Sequence, residues 1–256
     1  MRQIAIELFG DTHPCLCGGG HEICLKCNHC RAQEPDRVYN GKDPIASLID
    51  ATILKADAVE TEIRALCELA AKHETASVCV NSQFLALVHK VLNSHPLACT
   101  VINFPLGTNS PHAIYNEAAA VLNDGVDEID MVQNLSALLS GNTKTAFESI
   151  ERVAELCLHK TILLKVIIET CYLTNEQIVI SCLLAKKAGA TFVKTSTGFG
   201  PAGAKAEHIE LMRKTVGPKL GVKASGGIRT KEQALEMIKA GANRIGASNV
   251  LAIVGE

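Results

Sequence analysis

A chain of 256 residues with 47% hydrophobic residues, no tryptophan and a formal net charge of −2 is long enough for a large core built from Ala, Leu, Ile and Val. It carries no long basic run and no basic patch interleaved with aromatics, which argues against a nucleic-acid partner. No apolar run nears the roughly 18 residues of a membrane span and the N-terminus lacks a signal-peptide pattern, so no membrane partner and a cytoplasmic location are expected.

Residues 1–41 differ in composition from everything after them and read as a Cys/Gly/His-rich extension ahead of a main domain over 42–256. Met1 to Gly10 fits a short strand. Cys15, Cys17, Cys24, Cys27 and Cys30 then crowd together beside His13, His21 and His29. Two-residue gaps between cysteines let successive thiolates turn toward one ion, so this segment is a candidate zinc site, with an iron–sulfur cluster second. Glu34 stands where a ferredoxin-type run would want its next cysteine, which weakens the cluster reading. The remaining six of the eleven cysteines (Cys67, Cys79, Cys99, Cys157, Cys171, Cys182) stand singly in apolar segments, as reduced core thiols do.

From Asp43 onward, strand and helix patterns alternate. Ala46 to Asp50 is a short apolar run, Asp57 a candidate cap, and Val59 to Lys72 an amphipathic helix. Ala76–Val80 is a second strand, with a helix through Phe84 to Leu92; Cys79 lies near the end of that strand and reads as a packed thiol. Cys99–Asn103 is the third, followed after Pro105 and Gly107 by a helix from His112 to Asn123. Val126–Val132 and a helix from Ala146 to His159 come next, then Ile162–Thr170 and a helix from Asn175 to Lys187. The run at Thr191 is the sixth strand, with a helix over 206–214. Leu220–Ala224 is the seventh, before a helix capped by Thr230. Arg244–Gly246 is the eighth, with Ser248 opening the last helix. Eight strand–helix units in strict alternation predict one parallel sheet with right-handed crossovers, closed as a (β/α)8 TIM barrel of the α/β class. Asp50-Ala51-Thr52-Ile53 carries no glycine-rich loop, which argues against a dinucleotide site.

In such a barrel, reactive groups sit at the C-terminal ends of different strands and face one mouth. Asp50, Asp130, Lys194 and Lys223 are charged residues stranded in apolar runs near those ends. Each alone has an ordinary reading as a turn residue, an ion-pair partner or a lysine that reaches solvent. Together they aim two cations and two anions at one cavity. A buried lysine beside a second ammonium is pushed toward its neutral form, which is what a Schiff-base nucleophile needs. Lys194 is the candidate nucleophile and Lys223 its neighbour. Asp130 would move protons, and Asp50 would hold Lys223. Glu128 would pair with Lys165 lower in the barrel as a structural couple. Ser225-Gly226-Gly227 and Gly246-Ala247-Ser248 follow strands seven and eight, where barrels commonly hold phosphate on bare backbone N–H groups. A Schiff-base lyase for another phosphorylated sugar and a metal or redox sensor built on the cysteine segment are alternative readings.

Leu48-Ile49-Asp50, Asn103-Phe104-Pro105, Glu128 to Val132, Leu164 to Thr170, Phe192 to Gly198 and Lys223 to Arg229 resemble the motifs of the deoxyribose-phosphate aldolases, in the same order and over residues 43–256. The resemblance implies a class I aldolase that needs no metal or other cofactor and cleaves 2-deoxy-D-ribose 5-phosphate to acetaldehyde and D-glyceraldehyde 3-phosphate. Its small-molecule partners would be that sugar phosphate and the aldehydes, with a homodimer as the default assembly. Carried over, Lys194 matches the Schiff-base lysine, Lys223 the lysine that lowers its pKa, Asp130 the acid/base and Asp50 the group orienting Lys223. Thr170, Gly198, Gly226, Gly227 and Ser248 match substrate or phosphate contacts. The chain departs from the pattern at Phe199, where some members place a lysine, in ending at Glu256 without the longer tail of some members, and in its first 41 residues, which have no counterpart.

Overall fold

The alternating apolar runs form eight parallel strands in a computed structural model that describes residues 39, 41, 44–92 and 94–255. Strands β1 (Ile49–Ile53), β2 (Ser77–Val80), β3 (Leu97–Ile102), β4 (Glu128–Val132), β5 (Leu163–Ile167), β6 (Phe192–Lys194), β7 (Gly221–Ser225) and β8 (Arg244–Ala247) pair in sequence order. The sheet closes where β8 meets β1, with Asp50 opposite Gly246 and Ala51 opposite Ala247. This is the (β/α)8 barrel that the alternation predicts. The Cys15 to Cys30 segment and the Met1 to Gly10 strand lie outside the described residues. Among the described residues no helix is long and apolar enough to cross a membrane.

The helices follow from local signals. α1 (Glu60–His73), α2 (Leu85–Val91), α3 (Pro111–Asn123), α4 (Leu135–Leu139), α5 (Thr143–Lys160), α6 (Asn175–Lys187), α7 (Ala206–Val216), α8 (Lys231–Lys239) and α9 (Val250–Val254) return the chain between strands. Ser110 accepts from the Ala113 N–H ahead of Pro111, a residue that costs nothing at a first helical position. Thr174 with Gln177, and Thr230 with Gln233, form reciprocal capping boxes. Ile, Leu, Val and Ala side chains such as Ile49, Val78, Ile129, Val166 and Val222 fill the space between strands and helices.

Three expectations are corrected. The first strand does not end at Asp50: the Ser47 N–H and hydroxyl both bond back to the Pro44 carbonyl, which winds Ile45–Leu48 into a 3-10 turn. β1 therefore starts at Ile49, and Asp50 is its second residue, deep in the barrel. At α1 the first-turn bond comes from Glu62, which accepts from the Val59 N–H at 3.1 Å, while Asp57 stays exposed. Asn249, not Ser248, caps the last helix, because its side chain reaches the Ala252 N–H.

Candidate active site

Six strands deliver charged side chains to the barrel interior: Asp50 from β1, Glu128 and Asp130 from β4, Lys165 from β5, Lys194 from β6, Lys223 from β7 and Arg244 from β8. Period-two alternation puts Glu128 and Asp130 on the same face of β4. All seven residues are buried, the lysines included: Lys165 is 0%, Lys223 1% and Lys194 2% exposed. Ammonium groups are tolerated there only if paired.

Asp130 is the hub of that pairing. Its Oδ1 accepts from Lys165 Nζ at 2.7 Å, and its Oδ2 accepts from Lys194 Nζ at 2.7 Å and from Lys223 Nζ at 2.8 Å. Lys223 also donates to Asp50, whose other oxygen accepts from Arg244 at 2.6 Å. Lys165 lies 2.6 Å from Glu128 Oε2 and 3.6 Å from Asp50, and Arg244 lies 3.2 Å from Glu128 Oε1. The expected Glu128–Lys165 couple is present, but it belongs to the same network as Lys194.

Burial alone would raise the Asp130 carboxyl, yet Lys165, Lys194 and Lys223 hold it well below the usual carboxylate range. Asp50 is likewise held low against burial, by Arg244, Lys223 and Lys165. Burial would lower Lys223, but the carboxylates of Asp130 and Asp50 keep it above the ordinary lysine range. The same competition, led on the raising side by Asp130, keeps Lys165 high. The network sets four basic side chains (Lys165, Lys194, Lys223, Arg244) against three acidic ones (Asp50, Glu128, Asp130). Among the three lysines Lys194 has the fewest carboxylate contacts. It pairs with a single oxygen, already shared with Lys223, and its side chain reaches the mouth cavity. Lys165 and Lys223 each pair with more than one carboxylate.

That cavity, of about 470 Å³, opens at the C-terminal ends of the strands. Of the candidate site residues, Lys194, Gly198, Gly226, Gly227 and Ser248 line it, together with Lys55, Phe199, Ser225 and Arg229. Asp50, Asp130 and Lys223 are not on the lining; Asp130 contacts Lys194, which is. Thr170 is also outside the lining, its N–H bonded to the Thr195 carbonyl at 2.9 Å. The hydroxyls of Thr170, Ser196 and Ser225, just beyond or at the ends of β5, β6 and β7, are buried with no hydrogen-bond partner among the described residues.

The loops around the mouth are tied to one another. Thr195 Oγ1 donates to the Ser225 carbonyl and accepts from the Ser225 N–H, which joins the ends of β6 and β7. Glu169, in the left-handed region at φ 53°, accepts from both the N–H and the hydroxyl of Thr197. Gly203 packs so closely that a Cβ there would lie 2.1 Å from the Gly226 carbonyl oxygen. Gly226 itself has φ +84°, a conformation glycine adopts without strain.

Sequence reasoning missed Arg244 as a member of the network, Lys55 and Arg229 on the lining, and Cys99. The Cys99 thiol accepts from Lys165 at 3.3 Å and lies 3.5 Å from Asp130 Oδ1. Arg244 left a readable signal, an arginine opening an apolar strand. Cys79 is packed as expected, but it is fully buried and does not reach the lining. Hydrogen bonding with the neighbouring Cys99 lowers the Cys79 thiol, whereas burial drives Cys99 above the usual range.

Residues 45–254 match the family model described as DeoC/LacD family aldolase. The chain is 48% identical over 217 residues to the deoxyribose-phosphate aldolase of Caldicellulosiruptor saccharolyticus, covering 84% of this chain and 99% of that protein. It is 51% identical over 207 residues to deoxyribose-phosphate aldolase 1 of Vibrio vulnificus, covering 80% and 94%. Among solved structures, the deoxyribose phosphate aldolase of Aeropyrum pernix, described as a unique tetramer, superposes with a TM-score of 0.75 at 29% identity over 82% of this chain and 89% of that one.

Proposed function

The chain belongs to the DeoC/LacD aldolase family, and from that premise we propose that it reversibly cleaves 2-deoxy-D-ribose 5-phosphate through an imine on Lys194. The observation that carries this reading is that Lys194, on the cavity lining, meets a second buried lysine, Lys223, on one oxygen of Asp130 just beneath it.

Lys194, once neutral, attacks the C1 carbonyl of the open-chain sugar. The carbinolamine loses water to give the imine, and Asp130, in contact with Nζ, relays the protons of that step. Asp130 then takes the proton of the C3 hydroxyl as the C2–C3 bond breaks. D-glyceraldehyde 3-phosphate departs and the bonding electrons pass into an enamine on Lys194. Asp130 returns that proton to C2, and hydrolysis of the imine releases acetaldehyde and the free lysine. Lys223 stays charged and holds Asp130 against the nucleophile, with Asp50 fixing Lys223 from below. Of the unpartnered hydroxyls, that of Ser225 stands on the cavity lining and is suited to a sugar hydroxyl. The turns at Gly198, Gly226, Gly227 and Ser248 offer bare backbone to the phosphate. Every step uses side chains of this chain and calls on no metal or other cofactor.

Borohydride reduction in the presence of acetaldehyde should leave an ethyl group on Lys194, located by peptide mass mapping, and Lys194→Arg should remain folded and lose turnover. An adduct confined to another lysine, or substantial turnover by Lys194→Arg, would reject the mechanism. A role in deoxyribonucleoside breakdown in the cytoplasm agrees with this chemistry. The homodimer expectation is tested by light scattering on the purified protein, where a single tetrameric species would sink it. The spacing of Cys15, Cys17, Cys24, Cys27 and Cys30 supports zinc binding by a separate extension over residues 1–41; a preparation free of chelator and of stoichiometric zinc or iron rejects it.

A further inference from the structure

Lys55 lies two residues beyond β1, in the first strand-to-helix loop. Because β1 is hydrogen-bonded to β8, this loop stands beside the loop that follows β8. Its side chain lines the same cavity as Gly226, Gly227 and Ser248. Among the described residues the charged side chains of that lining are Lys55, Lys194 and Arg229, all cationic, with no carboxylate. From the β6 side, Gly198 and Phe199 bring no charge; the Phe199 ring packs edge-on against Phe104 at 5.4 Å.

Lys55 is braced rather than loose. Its Nζ lies 2.7 Å from Glu62 Oε1, while Glu62 Oε2 accepts from the Val59 N–H at 3.1 Å and so is anchored to the first turn of α1. Asp57 adds a weaker contact at 3.7 Å. The lysine and glutamate side chains of this pair are 49% and 38% exposed, so it contributes little stability by itself. A partly solvated ammonium can turn toward a second anion at small cost.

We propose that Lys55 is a specificity residue that recognises the phosphate of the substrate, with Glu62 as the brace that aims it and tempers its charge. The proposal rests on the aldolase reading above and sharpens its substrate class. A phosphorylated sugar brings a dianion between the bare backbone of the β7 and β8 loops and the Lys55 ammonium. A free sugar offers Lys55 only a hydroxyl, and a charge-assisted contact is roughly twice as strong as a neutral one.

The test compares 2-deoxyribose 5-phosphate with 2-deoxyribose. Lys55→Met should raise KM for the phosphorylated sugar by about tenfold, the loss of one charge-assisted hydrogen bond, and shift kcat far less. The change for the free sugar should be several times smaller. Inorganic phosphate should weaken as a competitive inhibitor in parallel, and Lys55→Arg should restore most of the preference. Glu62→Gln keeps the acceptor for Val59 and removes the competing charge, so it should lower KM for the phosphorylated sugar. Equal changes for the two sugars, or an unchanged ratio of their kcat/KM values in Lys55→Met, would overturn the role of Lys55 while leaving the aldolase reading intact. If the unsubstituted protein turns over neither sugar and forms no adduct on Lys194, the aldolase reading fails and this proposal fails with it.

Discussion

Asp130 serves three ammonium groups with two oxygens, and that arithmetic makes it the least replaceable side chain in the barrel. An asparagine there presents one acceptor and no charge, leaving four buried cations against two carboxylates. Asp130→Asn should therefore lose activity and about 3–5 kcal/mol of stability, the usual cost of breaking a buried pair from one side. Denaturant unfolding at neutral pH measures it, and a loss under about 1 kcal/mol would show the network tolerates the imbalance. Lys194, Lys223, Asp130 and Asp50 were legible in the sequence because a charge inside an apolar strand is costly enough to need a reason. Lys165 was equally visible, but sequence assigns partners two at a time and gave it Glu128 alone. A carboxylate shared by three lysines emerges only when β4, β5, β6 and β7 are set side by side. Lys55 left no signal, since a lysine after a strand is ordinary.

At the scale of elements, the mouth is built from loops that lean on one another. The Ala204 N–H bonds to the Gly226 carbonyl at 3.0 Å, and the neighbouring Gly203 leaves no room for a methyl group against that same carbonyl. Gly203→Ala should thus push the β7 loop out of place while the strands below stay intact. The expected result is a KM for the sugar phosphate raised by about tenfold or more, with a melting temperature within a few degrees of the parent. A raised KM without a stability change supports the coupling of the two loops, and unaltered kinetics would show that the loop yields. The strands and most helices were legible from period, length and caps: α6 spans the predicted residues, and Thr230 caps α8. Boundaries failed where a local bond overrode the pattern, as Ser47 does before β1 and Asn249 before α9. Contacts between loops, such as Gly203 on Gly226, depend on the closed barrel and have no trace in spacing.

For the molecule as a whole, the buried network predicts how stability follows pH. Asp50 and Asp130 have carboxyls held below the ordinary range, near pH 4 for an unfolded aspartate. Below about pH 4 the unfolded chain binds protons that the native state refuses, so stability should fall as the pH drops toward the native values. Lys165 and Lys223 are held above the ordinary lysine value of about 10.4; their contribution is complete below it and is lost as the pH rises beyond it. Melting temperature should therefore hold a plateau between about pH 5 and 9 and drop on both sides. A melting temperature unchanged down to about pH 3 would mean the core aspartates are not held as described. The same network has an order along the chain. Asp50, Glu128 and Asp130 all belong to the first four strands, and Lys165, Lys194, Lys223 and Arg244 all belong to the last four. Each half-barrel carries inward-facing charge of one sign, and only closure of the whole barrel both buries and pairs them. Neither half alone can close over its own charges without the partners the other supplies. A growing polypeptide gains nothing from closing early, and the first stable species should be the one in which both halves meet, which ties cooperative folding and the assembly of the reactive centre to a single event.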